Sequence, residues 1–150
     1  MGTRSRIAAK NADGTFTSIY CHRDGYPAGV GATLIDHYKD EAKVRALLAL
    51  GDISSLGEEV GERHDFEDRS HPNWTTAYGR DRGEEDTQGE VCNGIGALGK
   101  LTQESGGEYL YVFEDGNWFV AKGGASWFGG PVIEKPGNLR PLNEVLAEAA

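Results

Sequence analysis

Two Asp-Gly turns, one near each end of the chain, constrain this sequence more than any other feature. Tyr109-Leu110-Tyr111-Val112-Phe113 and Asn117-Trp118-Phe119-Val120-Ala121-Lys122 flank Glu114-Asp115-Gly116. Aromatic and β-branched runs on either side of Asp-Gly mark a β-hairpin, because its tightest turn needs positive φ at both central residues. Ile7 to Lys10 and Phe16 to Cys21, separated by Asn11-Ala12-Asp13-Gly14-Thr15, repeat the pattern less strongly. Two hairpins join most economically as a four-stranded antiparallel sheet with helices packed on one face, an α+β fold.

The helices are expected between and after the hairpins. Pro27 suits a first helical turn, and Val30, Leu34, Ile35 and Tyr38 recur at helical spacing, which predicts a helix from Pro27 to Tyr38. Asp40 can cap a second helix whose Val44, Leu47 and Leu48 form an apolar stripe and which Gly51 ends. From Gly57 to Gly89 acidic and basic residues crowd around a few anchors, Val60, Phe66, Trp74 and Tyr78, and the stretch reads as a long irregular excursion from a single domain spanning 1–150. Val91 to Leu101 is weakly helical, Gly123 to Asn138 reads as loop around Trp127 and Phe128, and Pro141 to Ala149 suits a terminal helix.

Charge narrows the function. Against 24 acidic residues stand 15 basic ones, a net charge of -9, so broad binding to nucleic acid, which rests on Lys and Arg neutralising phosphates, is not expected. An acidic surface either keeps the chain soluble or imitates nucleic acid towards a basic partner. No apolar run approaches the roughly 20 residues of a membrane span, so no membrane association is expected. The chain reads as cytosolic, with Cys21 and Cys92 as reduced thiols.

The leading candidate site is the stretch from Tyr20 to Gly31, where a β-rich run breaks into a polar turn before a helix. Gly29 and Gly31 would let backbone approach an anion at the helix start, with Arg4, Arg6, His22 and Arg23 nearby and Asp24 and Tyr26 in the turn. Leu34 stands where a dinucleotide fingerprint needs its third glycine, and the lysine of a phosphate-binding loop is missing. The alternative is that the glycines only shape a turn.

Arg80 and Arg82 flank Asp81 and could grip a phosphate in two-point fashion, or pair internally with Asp65, Glu84 or Glu85. His64, Asp65, Glu62, Glu67, Asp68 and His71 are the residue types of a metal site but carry no recognised spacing, so neither a metal nor another cofactor is expected. A cysteine paired with a histidine as nucleophile and base needs an adjacency that sequence does not show, and no catalytic residue is assigned. Trp127-Phe128, bracketed by glycine pairs, suits a lid or a partner contact.

Thr3-Arg4-Ser5-Arg6-Ile7, Ser18-Ile19-Tyr20-Cys21-His22 with Asp24-Gly25-Tyr26-Pro27 and Gly29-Val30-Gly31, and Gly51-Asp52-Ile53-Ser54-Ser55-Leu56-Gly57 resemble a family of small accessory proteins encoded by bacteriophages and prophages. The likeness continues through Glu62 to Phe66, Thr76 to Glu84 and the tyrosine-rich final hairpin. Members of that family usually carry tryptophan where this chain has Arg23, which exchanges an aromatic surface for a charge. The resemblance implies a counter-defence role in the cytoplasm of an infected bacterial host and brings no catalytic residues with it. In that setting the expected function is sequestration of a phosphate-containing, nucleotide-derived small molecule without chemistry. The alternatives are a protein-binding inhibitor of a host defence complex and a nucleotide-processing hydrolase or transferase. A homodimer, one copy covering the other's sheet edge, is a further expectation.

Overall fold

The computed structural model describes residues 3–68, 70–122 and 139–149. Among them eight strands form one mixed sheet and five α-helices pack on it, an α+β fold. The strands are β1 (Ser5–Lys10), β2 (Phe16–Cys21), β3 (Ile53–Ser55), β4 (Thr76–Ala77), β5 (Glu90–Cys92), β6 (Tyr109–Glu114), β7 (Asn117–Lys122) and β8 (Arg140–Pro141). Their order is β4-β3-β2-β1-β6-β7-β8, with β5 paired beside the start of β2.

Both hairpins form. Asp115 (φ 52°) and Gly116 (φ 79°) take the positive φ that the tight β6–β7 turn requires. Around the first turn the Asn11 amide donates to the Thr15 carbonyl at 2.7 Å, and Asp13 accepts from the Thr15 hydroxyl at 2.6 Å. The hairpins join, however, through a parallel seam, with Ser5 opposite Tyr109 and Ile7 opposite Tyr111, so the sheet is mixed rather than antiparallel. Parallel neighbours need a long crossover, and the helices between β2 and β6 supply it.

The helices are α1 (Ala32–His37), α2 (Glu41–Ala49), α3 (Tyr78–Arg82), α4 (Ile95–Glu104) and α5 (Leu142–Ala149). One wide π-helical turn, Pro27–Gly31, leads directly into α1. Asp40 caps α2 by accepting from the Ala42 amide, and Gly51 (φ 77°) follows its end. The main core lies on the sheet face of Ile7, Ile19, Tyr111, Phe113 and Val120, under Val30, Leu34, Val44, Leu47 and Leu142. The opposite face is covered too: Ala8, Phe16, Leu110, Val112 and Ala121 pack with Leu98 of α4. The expectation of helices on one face is therefore corrected. The unbroken apolar run Leu110 to Phe113 is the signature of a strand buried on both sides.

Between Gly57 and Gly89 the chain is more than irregular. It contributes β4 and α3 and a parallel bridge from Glu59 to Trp74. Tyr38, fully buried, anchors its start, its hydroxyl donating to the Gly57 carbonyl at 2.8 Å while the Trp118 indole N–H donates to the Tyr38 carbonyl at 2.9 Å. The expected loop at 123–138, with Trp127 and Phe128, lies outside the described residues.

Candidate functional site

The glycines of the turn after β2 are occupied by the protein itself. A Cβ on Gly29 would stand 2.4 Å from the Asp24 carbonyl oxygen, and one on Gly31 would come within 3.2 Å of both Tyr111 and Leu142. The Gly29 amide donates to the Tyr26 carbonyl at 2.9 Å and the Val30 amide to the Asp24 carbonyl at 2.8 Å. These glycines shape a turn and admit a helix to the sheet, so the anion cradle expected at the helix start is not formed by them. Asp24 adopts φ 56°, and its Oδ1 accepts from the exposed Tyr26 hydroxyl at 3.3 Å.

Of the arginines expected to bind a ligand, Arg4, Arg6, Arg80 and Arg82 are dispersed. Arg6 is buried on the α4 side of the sheet, where its Nε donates to the Ser18 hydroxyl at 2.8 Å and its fork reaches Ser105 at 3.3 Å and Glu90 at 3.4 Å. Arg4 is exposed beside Gly106 and within electrostatic reach of His22. His22, half-buried, shares a 2.8 Å hydrogen bond between its Nδ1 and the Tyr20 hydroxyl. Burial, reinforced by Arg4 and Arg23, holds the His22 imidazole below its ordinary pKa and favours the neutral ring.

Arg80 serves the excursion. It donates to the Val60 carbonyl at 2.8 Å, the Thr75 carbonyl at 2.6 Å and the Asp81 carboxylate at 2.9 Å. Arg82 pairs with Glu84 and lies over the rings of Phe66, 4.4 Å from its centroid, and Tyr78. Both arginines thus take the internal-pairing alternative, Arg82 with the expected Glu84 and Arg80 with its neighbour Asp81.

What the fold does assemble is a cleft of about 280 Å³ between the strand ends and the excursion. From the strand side it is lined by Arg23 and Asp24 after β2, Ser54 and Ser55 of β3, and Thr76 of β4. From the excursion come Phe66, Glu67, Asp68, His71 and Trp74. A smaller hollow of about 170 Å³ shares Arg23 and Asp24 and is lined further by Tyr26 and Gly29. Among the described residues the Arg23 guanidinium makes no hydrogen bond or ion pair, and the residue is exposed. The His71 imidazole stacks on the Trp74 indole at 3.8 Å with 10° between the planes.

Beneath this wall lies His64, buried, with Nδ1 2.8 Å from the Glu62 carbonyl and Nε2 3.4 Å from the Thr76 hydroxyl. No group of three His, Cys, Asp or Glu side chains is placed to hold a metal ion among the described residues. Both cysteines are free; burial pushes the Cys21 thiol up to about 12 and raises that of Cys92, the reverse of an activated nucleophile. Of the residues expected at the site, Asp24 lines both hollows and Tyr26 and Gly29 the smaller one. Ser54 and Ser55 carry no site signal in the sequence, and His71 and Trp74 stand there only as a metal-type residue and an anchor of the excursion; all four meet Arg23 only in the fold, and the aromatic and imidazole of His71-Pro72-Asn73-Trp74 inside an acidic stretch were the available signal.

No protein-family model, curated protein or solved structure matches the chain. No helix among the described residues is long and apolar enough to cross a membrane.

Proposed function

We propose that this protein binds a small phosphate-bearing, nucleotide-type ligand in the Arg23 cleft and sequesters it without chemistry. In the phage setting that the resemblance implies, it acts as an accessory factor in the infected host's cytoplasm, withdrawing a signal from a defence pathway. The observation that carries the reading is Arg23: a guanidinium without a protein partner among the described residues, lining a polar cleft that also holds a stacked imidazole–indole pair and three hydroxyl residues. A planar cation with free donors suits an oxyanion, and serine and threonine hydroxyls suit a sugar. The test is mass spectrometry of the small molecules released when protein purified from defence-activated cells is denatured. Release of an intact nucleotide is expected, and its absence across several defence systems, with no binding in calorimetry, overturns the reading.

A second reading, an inhibitor that engages a basic host protein, is favoured by the net charge of -9 and by the carboxylates of Asp24, Glu67 and Asp68 at the cleft. Co-purification of a host protein from cells that yield no nucleotide would decide for it.

A further inference from the structure

We infer that Asn93-Gly94, the joint between β5 and α4, is a site of spontaneous covalent modification, at which Asn93 closes onto the Gly94 nitrogen, loses ammonia and reopens as aspartate or isoaspartate. The chemistry needs an asparagine side chain free to swing against the next backbone nitrogen, and a next residue with no Cβ in the way. Of the six asparagines in the chain, Asn93 alone precedes glycine. The others are followed by alanine, tryptophan, leucine or glutamate.

The fold leaves this pair unguarded. Asn93 is exposed and lies in the bend between β5 and α4, outside both regular elements. Among the described residues its side-chain amide makes no hydrogen bond, and neither does the Gly94 N–H. Gly94 is extended, with φ −170° and ψ 176°, and a Cβ built there would meet nothing within 4 Å, so the main chain stands clear of its neighbours on that side. Asn11 is the contrast. Its amide donates to the Thr15 and Thr17 hydroxyls at 2.9 and 3.0 Å and its Oδ1 accepts from Arg45 at 2.7 Å, which locks the side chain in the first hairpin turn.

The step balances with water alone. The Gly94 nitrogen gives up its proton and bonds to the Asn93 Cγ, and the side-chain nitrogen leaves as ammonia, closing a succinimide ring. Water then opens the ring at either carbonyl. Attack at Cγ restores the peptide and leaves aspartate. Attack at the main-chain carbonyl leaves isoaspartate, whose chain runs through Cβ and Cγ and is one methylene longer. Either product adds a negative charge at the joint. The longer one also alters the connection that seats Leu98 of α4 against Ala8, Phe16, Leu110 and Val112. Asn93 does not line the Arg23 cleft, so this chemistry is independent of the binding reading.

Incubation of the full chain in mildly alkaline buffer, followed by tryptic peptide mapping, tests this. The peptide spanning 83–100 is expected to convert before any other asparagine-containing peptide, at residue 93, to aspartate and isoaspartate forms of equal mass that separate on chromatography. The rate should lie within a few-fold of that in urea, because the fold does not shield the pair. Gly94→Ala, which the open space accommodates, should slow conversion by about tenfold or more, and circular dichroism verifies that the variant folds. An intact Asn93 in the native protein, under conditions that convert it in urea, overturns the inference. So does earlier conversion at another asparagine, a product that is aspartate alone, or a Gly94→Ala chain that converts as fast as wild type.

Discussion

Arg80 and Asp81, consecutive in the chain, hold each other with Nε 2.9 Å from Oδ1 and together tie four separate points of the excursion. Arg80 donates to the carbonyls of Val60 and Thr75, and Asp81 accepts from the amides of His64 and Ala77 at 3.1 and 2.8 Å. The Asp81 side chain is fully buried. This knot positions the wall that carries His71 and Trp74, and so the cleft.

Asp81→Ala leaves two amides and a guanidinium without their acceptor, and should cost about 3–5 kcal/mol in urea denaturation. Burial alone would raise the Asp81 carboxyl, but hydrogen bonds from Arg80, Ala77 and His64 outweigh it and hold the pKa below its ordinary 3.8. A depressed folded pKa means stability that is present above 3.8 and lost as pH falls through the folded value. The gap between wild type and Asp81→Asn should therefore shrink in acid below that point, and a gap independent of pH would refute the ionised knot.

Gly29→Ala drives a methyl to 2.4 Å from the Asp24 carbonyl, whereas at Gly94, extended before α4, a Cβ meets nothing within 4 Å. The first substitution is expected to cost about 1–3 kcal/mol and the second to stay within about 0.5 kcal/mol. Thermal melts of both variants without any ligand read the difference; equal melts would return Gly29 to the list of ligand contacts.

Asp52 accepts from the Tyr20 amide at 2.9 Å in a half-buried position. Burial raises its carboxyl pKa, and Tyr20 and Arg6 offset this only in part. A raised folded pKa favours the folded state below the unfolded value and loses that contribution as pH rises through the folded one. Asp52→Asn keeps an acceptor for Tyr20 and removes the buried charge. It should thus be more stable than wild type at pH 7, the gain vanishing as pH falls through 3.8. A less stable variant at pH 7 would show that the attraction to Arg6 dominates.

Alkylation separates the thiols. Cys21 is wholly buried with its thiol pushed up to about 12, while Cys92 is half-buried on a short strand. Iodoacetamide on the native protein at pH 8 should give one adduct, at Cys92, with the second following only in denaturant. Intact-mass spectra showing two adducts on the folded chain would contradict the packing of Cys21.

Local chemistry was legible in the sequence, and long-range pairing was not. Asp115-Gly116 and the Asp40 cap form as their residues require, because turn and cap depend on atoms a few residues apart. The parallel seam of β1 with β6 depends on where the intervening helices carry the chain, which no hairpin signal encodes. Gly31 shows the same limit from the other side. A glycine that lets a ligand approach and one that lets Tyr111 and Leu142 approach look identical until those distant residues are in place. Arg80 was recognisable as a fork, but its partners Val60 and Thr75 become its neighbours only when the excursion closes.

The seam between β1 and β6 also dictates the order of events during synthesis. The first hairpin leaves the ribosome with one edge of β1 open, and the strand that closes it, beginning at Tyr109, emerges only in the last third of the chain. Contacts that distant are slow to form, since the loop between them must be ordered before they are made. Until then β1, whose Ile7, Ala8 and Ala9 are fully covered in the finished molecule, presents a bare apolar strand. The nascent protein is thus most open to chaperones and to misassembly late in translation, and a truncation before β6 should be insoluble however well its hairpin and helices are encoded.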